Sequence, residues 1–130
     1  MQLQPGLIRD VAIFGGLSEE TLTFLLERAE RVELRQGEDF LREGETGTSF
    51  FVLESGTVRV TKVAGGETIV LCEFGPGAVF GEMSLLAVRP RSATISAIED
   101  CAAIELTNSS LFELYEANAQ QFAMLVMSLG

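Results

Sequence analysis

Residues 80–95 read FGEMSLLAVRPRSATI and set a Gly-Glu pair ahead of an arginine, with a short helix-like run between them. Side chains of these types can hold a small ligand that carries one negative phosphate and one sugar hydroxyl. Arg91 offers a planar fork of donors that grips two phosphate oxygens at once. Glu82 is an acceptor at the mouth of the helix-like run, where Met83, Ser84, Leu85 and Leu86 follow. A first helical turn favours an anion through its unpaired N–H groups and its dipole. Gly81 permits a bend and a close ligand approach that a side chain would obstruct. Ser92 adds a hydroxyl beside the arginine, and Pro90 fixes the approach of the chain. A solvated loop salt bridge is the simpler reading of a Gly-Glu turn with a later arginine. The apolar residues on both flanks of the run weigh against it.

Such a site must be carried by strands. Over 30–106 the pattern is of short strands with turn signals between them, as in an all-β sandwich or jelly roll. Residues 31–35 alternate, with Val32 and Leu34 on one face. Phe40-Leu41 is a short strand between turns at 36–39 and 43–47. SFFVLE (49–54) and TVRVTKV (57–63) are expected to form a hairpin through Ser55-Gly56, and TIVLCEF (68–74) follows a turn at 64–67. Val79-Phe80 is a further strand, and 93–98 with 101–106 are expected as a last hairpin. Gly37, Gly44, Gly47, Gly56, Gly75 and Gly77 are expected at corners. No Gly-Lys-Ser/Thr follows any of them, which excludes a nucleotide-hydrolase phosphate loop.

Helices flank the strands. The segment 7–29 is mostly helical, broken at Phe14-Gly15-Gly16 and restarted by Ser18 as N-cap with two acids in the first turn. Leu22, Leu25, Leu26 and Ala29 form one stripe, expected to pack on the strands. Thr107, Asn108 or Ser109 caps a helix that breaks near 116–118. The helix after it, 119–129, is apolar nearly all round, which a lone surface helix should not be. A dimer partner, a ligand lid and a continuation of the chain all remain open as its cover.

The run at 80–95 resembles the phosphate-binding cassette of the cyclic nucleotide-binding domain, found in bacterial catabolite activator-like regulators, kinase regulatory subunits and cyclic nucleotide-gated channels. Phe-Gly-Glu, the apolar residues after it and Pro-Arg-Ser-Ala-Thr carry the likeness. Glu-Gly-Glu (43–45) and Leu-Glu-Ser-Gly-Thr-Val (53–58) resemble the family's corners, and the likeness extends over about 14–122. It implies a mainly β fold, a double-stranded β-helix (jelly roll) over 30–106, with N-terminal helices over 7–29 and C-terminal helices over 107–130. Together these would make a single cyclic nucleotide-binding domain over 1–130. It further implies that Glu82 binds the ribose 2′-hydroxyl and Arg91 the cyclic phosphate, with Gly81, Met83, Ser84 and Ser92 completing the cradle. The base slot falls on Val60 and Leu71, with Cys72 and Phe80 nearby, although Val60 and Leu71 also read as ordinary core. A hydroxyl directly after the arginine can favour guanine in the family and alanine there goes with adenine. Ser92 therefore leaves cyclic GMP open, and the reading leans to cyclic AMP. The resemblance implies a non-enzymatic sensor whose ligand draws Arg91 inward and shifts the C-terminal helices.

Composition narrows the remaining classes. At 130 residues the chain is one domain with enough length for one core. The formal net charge of −10 disfavours nucleic-acid binding and an anionic membrane surface. Screening over about 8 Å still lets Arg91 win locally for an anionic ligand. The chain has no His, so a metal-dependent enzyme on a related roll lacks its usual ligands, and no metal is expected. Cys72 and Cys101 make no zinc spacing and read as small buried hydrophobes. No basic-then-apolar leader or membrane-length apolar run is seen, which makes the cytoplasm the expected location. The expected partners are the cyclic nucleotide and a second copy through the C-terminal helix. A degenerate roll used in protein assembly, and the sensor half of a transcription regulator, are the alternatives.

Overall fold

Alternating and apolar runs bounded by Gly-rich turns become strands. In the computed structural model, which describes residues 14–81 and 89–129, these are β1 (Glu30–Leu34), β2 (Asp39–Leu41), β3 (Thr46–Gly47), β4 (Ser49–Ser55), β5 (Val58–Ala64), β6 (Glu67–Phe74), β7 (Val79–Phe80), β8 (Arg89–Pro90), β9 (Thr94–Ala97) and β10 (Cys101–Thr107). They assemble as one sheet of order β1-β10-β4-β7, a second of order β2-β9-β5-β6, and a ribbon of β3 with β8. Apart from the β5–β6 pair and the short β3–β8 ribbon, the chain passes from one larger sheet to the other, which is the winding of a double-stranded β-helix. Phe40, Phe51 and Phe80 meet in the core with ring centroids 5.3 to 5.5 Å apart.

Two hairpins expected from the sequence are not formed. β4 and β5 lie in different sheets, and so do β9 and β10. The reason is burial on both faces. Ser49, Phe50, Phe51, Val52 and Leu53 are buried in succession, as are Cys101, Ala102, Ala103 and Ile104. A hairpin with one wet face would alternate instead. Such doubly covered strands turn a corner at each end and cross to the opposite sheet. The two corners brace one another: Ile98 N–H donates to the Thr57 carbonyl at 3.0 Å. By contrast β5 and β6 do form an antiparallel hairpin, turned by Gly65 and Gly66, both with positive φ.

The chain divides into two units, one of strands over Arg31–Glu105 and one over Met1–Glu30 with Leu106–Gly130, which holds the described helices. In the helical unit, α1 (Glu19–Arg28) is capped by Ser18, whose hydroxyl accepts from Thr21 N–H at 3.1 Å. It buries Leu22, Leu25 and Leu26 and packs with α2 (Asn108–Ala117), and Arg28 reaches Glu113 at 3.1 Å. Thr107 caps α2. Asn118 ends α2 and opens α3 (Ala119–Leu129), its Oδ1 accepting from Gln121 N–H at 3.1 Å. α3 buries Leu125 but leaves Met124 and Met127 exposed. Among the described residues no helix is long and apolar enough to cross a membrane.

The expectation of two buried cysteines holds for Cys101 only; Cys72 is exposed. β6 is an edge strand whose eight residues are all exposed, so its apolar sequence does not make it core. Burial pushes the Cys101 thiol above its ordinary pKa. Thiolate is the reactive form. Titration with an aromatic disulfide at neutral pH is therefore expected to show one rapidly reacting thiol in the native protein and a second only on unfolding. Two fast thiols would contradict the burial of Cys101.

Candidate functional site

Arg91 leaves β8 directly into the interior of the roll. Its backbone is fixed on both sides, because its N–H donates to Glu45 O at 2.7 Å and its carbonyl accepts from Gly44 N–H at 2.8 Å. The side chain is buried, with 8% of its surface exposed. Its Nη1 donates to the Gly81 carbonyl at 3.0 Å and its Nη2 to the Ser49 carbonyl at 2.9 Å. A buried charge requires such partners, since removing it from water without them costs several kcal/mol. Burial pulls the guanidinium below its ordinary pKa, and the Glu105 carboxylate pulls it back up.

Two glycines make room for this group. A Cβ on Gly47 would overlap Cζ, Nε and Nη2 of Arg91. Gly81 has φ +85°, and a Cβ there would stand 2.9 Å from Nη1. Backbone therefore lies directly against the guanidinium on the β3 side and at the bend after β7. A planar guanidinium is chemically suited to pairing with a phosphate anion, and this one lies beside the start of the FGE run.

The other expected site residues fall as follows. Glu82, Met83 and Ser84 lie outside the described residues. Ser92 is exposed, just before β9. Val60 is half-buried and packs on the roll's core. Cys72 is its cross-strand partner. Leu71 has no partner in the register, which passes from Val60↔Cys72 to Thr61↔Val70. It is the extra residue of a β-bulge and is 54% exposed. Phe80 is buried, stacked on Phe51 at 5.4 Å. Val60, Leu71 and Cys72 thus adjoin on the β5–β6 hairpin, while Phe80 is held in the aromatic core from the other sheet.

Gly47, Ser49 and Glu105 escaped the sequence reading as parts of this site. Gly47 read as a corner, although it is the close approach it permits that matters. Glu105 did carry a signal, since an acid inside the apolar run CAAIEL needs a specific partner.

A family model described as the cyclic nucleotide-binding domain matches residues 31–118. The cyclic AMP receptor protein of Thermus thermophilus is 36% identical over 95 residues, which cover 72% of this chain and 44% of that protein. A cAMP-dependent protein kinase regulatory subunit of Yarrowia lipolytica is 33% identical over 89 residues, covering 68% of this chain and 23% of the subunit. The chain thus spans less than half the length of these two relatives. Among solved structures, the regulatory domain of Toxoplasma gondii PKA, co-crystallised with cAMP, superposes with a TM-score of 0.78 at 26% identity, over 89% of this chain and 45% of that one. A roll wound this way, with the match running through both larger sheets and into α2, has one consistent assignment: the chain belongs to the cyclic nucleotide-binding domain family, a family of regulatory rather than catalytic modules.

Proposed function

We propose that residues 1–130 act as one regulatory domain that binds cyclic AMP in preference to cyclic GMP and answers by shifting its C-terminal helices. The observation that carries this reading is the Arg91 guanidinium, buried yet lodged between the backbones of Gly47 and Gly81 at the entrance to the FGE run. In this reading Arg91 pairs with the cyclic phosphate and Glu82 accepts from the ribose 2′-hydroxyl. Gly81, Met83, Ser84 and Ser92 complete the cradle. Val60, Leu71 and Cys72 offer the base an apolar surface, with Phe80 fixing the bend from behind. The preference for adenine draws on the relatives named for cyclic AMP rather than on Ser92.

The domain catalyses nothing in this proposal and holds no metal; its output is mechanical. Ligand shifts the helices only by its differential affinity for two arrangements. α2 and α3 suit such an output, because Phe112, Tyr115 and Met127 are exposed and can be covered by a second copy in one arrangement. The proposed setting is the cytoplasm, where a kinase or transcription partner would read the change.

Titration calorimetry with cyclic AMP and cyclic GMP tests the proposal. The wild type is expected to bind both, cyclic AMP more tightly. Arg91→Ala is expected to lose about 1.5 to 3 kcal/mol, on the order of 10- to 100-fold in affinity, as for a charged hydrogen bond. A folded Arg91→Ala protein with wild-type affinity would remove Arg91 from the site. One observation favours a second reading, a roll that serves assembly without nucleotide. Arg91 is bonded to two backbone carbonyls, as a purely structural arginine would be. Absence of calorimetric heat with either nucleotide would select that reading.

A further inference from the structure

Glu105 sits in β10 among buried apolar neighbours, Ala103, Ile104 and Leu106. Its carboxylate Oε2 accepts from the Ser49 hydroxyl at 2.6 Å. Ser49 is itself buried, and its carbonyl accepts from Arg91 Nη2 at 2.9 Å. One residue at the start of β4 therefore faces two ways. Its side chain is tied to an acid on the neighbouring strand, and its backbone is tied to the guanidinium. We propose that Glu105 is a positioning residue for Arg91, acting through Ser49 to hold the guanidinium in its seat between Gly47 and Gly81, ready for an anionic ligand. The inference rests on reading Arg91 as the phosphate ligand.

The physical argument has two parts. A guanidinium on a long flexible stem loses rotamer freedom when it is held, and a seat that is already rigid lowers the cost of ligand capture. Rigidity here depends on the Ser49 carbonyl staying in place, and the short hydroxyl–carboxylate bond fixes Ser49 from its other end. Hydrogen bonds to an ionised acceptor are the strong ones. The Glu105 carboxylate also favours the charged guanidinium in a setting where burial works against it. Neither Glu105 nor Ser49 is required to touch the ligand.

Two readouts separate this proposal from the function it rests on. The first needs no nucleotide. Side-chain NMR of the arginine guanidinium groups is expected to show one slowly exchanging set of protons that disappears in Arg91→Ala. That set should exchange at least tenfold faster in Glu105→Ala and in Ser49→Ala. It should change little in Glu105→Gln, whose amide oxygen still accepts from Ser49. The second readout is cyclic AMP affinity. Glu105→Ala is expected to weaken it about tenfold, with Glu105→Gln within threefold of wild type. In the Arg91→Ala background, Glu105→Ala should add no further loss. Unaltered guanidinium exchange in both Glu105→Ala and Ser49→Ala overturns the proposal, as does an equal affinity loss with and without Arg91. If Glu105→Ala does not fold, Ser49→Ala cuts the same link from the other side and decides the question. If the wild type binds no cyclic nucleotide, the proposed function fails, and the exchange measurement still judges the Glu105 link.

Discussion

Gly47→Ala is expected to abolish the seat of Arg91, reducing cyclic nucleotide affinity at least as far as Arg91→Ala and costing about 3 kcal/mol of stability. The added methyl would occupy the space of Cζ, Nε and Nη2. Either the guanidinium leaves or β3 separates from β8, with which it pairs at Thr46↔Pro90. If the guanidinium leaves, it abandons the Ser49 and Gly81 carbonyls, and hydrogen bonds to a charged group contribute about 1.5 to 3 kcal/mol each. The methyl itself is not a conformational problem, because Gly47 is absent from the positive-φ positions. Gly44→Ala supplies the contrast: φ there is +87° and nothing lies within 4 Å of the new Cβ. It should pay only left-handed strain, about 1 to 2 kcal/mol, and keep its affinity. Urea denaturation and calorimetry on the two variants check both halves. Wild-type stability and affinity in Gly47→Ala would show that the guanidinium is not held where the structure has it.

At the far corner of the roll, Gly56→Ala should be the most damaging change to folding alone, at more than about 3 kcal/mol. Here both causes act together. The residue has φ +91°, and its Cβ would stand 2.6 Å from the Asp100 carbonyl oxygen and 2.5 Å from Cys101 Sγ. Left-handed strain accounts for about 1 to 2 kcal/mol. The rest comes from forcing apart the two corners: the Cys101 thiol could turn away, but the Asp100 carbonyl oxygen and Cys101 Cα, 2.9 Å from the new Cβ, are backbone and cannot. The Ile98 to Thr57 hydrogen bond joins those same corners and would be lost or lengthened. Equilibrium unfolding gives the magnitude, and native-state thiol labelling gives the place, since Cys101 should become reactive. A loss equal to the strain alone, with Cys101 still protected, would mean that the corners are not in contact.

Local chemistry was legible in the sequence where it is settled by neighbours in the chain. Ser18 and Thr107 cap their helices because an N-cap needs only an oxygen and the next turn of backbone, and the break at Asn118 needs no distant information. Arg91 stood out in the sequence for the same reason, since the whole run from Phe80 to Ile95 is contiguous. Strand pairing was not legible. SFFVLE and TVRVTKV read as two arms of a hairpin through Ser55-Gly56, whereas the chain crosses between sheets there, because the partners β7, β9 and β10 decide. Cys72 misled because an apolar strand at an edge has the same composition as one in the core. The Ser49–Glu105 link spans 56 positions, so no local pattern could announce it. Gly47 shows a further limit: a sequence says that a residue is glycine, but not whether the backbone or a neighbour demands it.

The unpaired Leu71 in the β5–β6 hairpin has a consequence of its own. An extra residue in one strand reverses which side chains of that strand face which way, so the portions of β6 before and after it are phased separately. The tip near Gly65-Gly66 can therefore lengthen, shorten or twist without rotating Val60 out of its packing against the core. That makes the hairpin a place where the roll can accept insertions and deletions that would ruin any of its doubly covered strands.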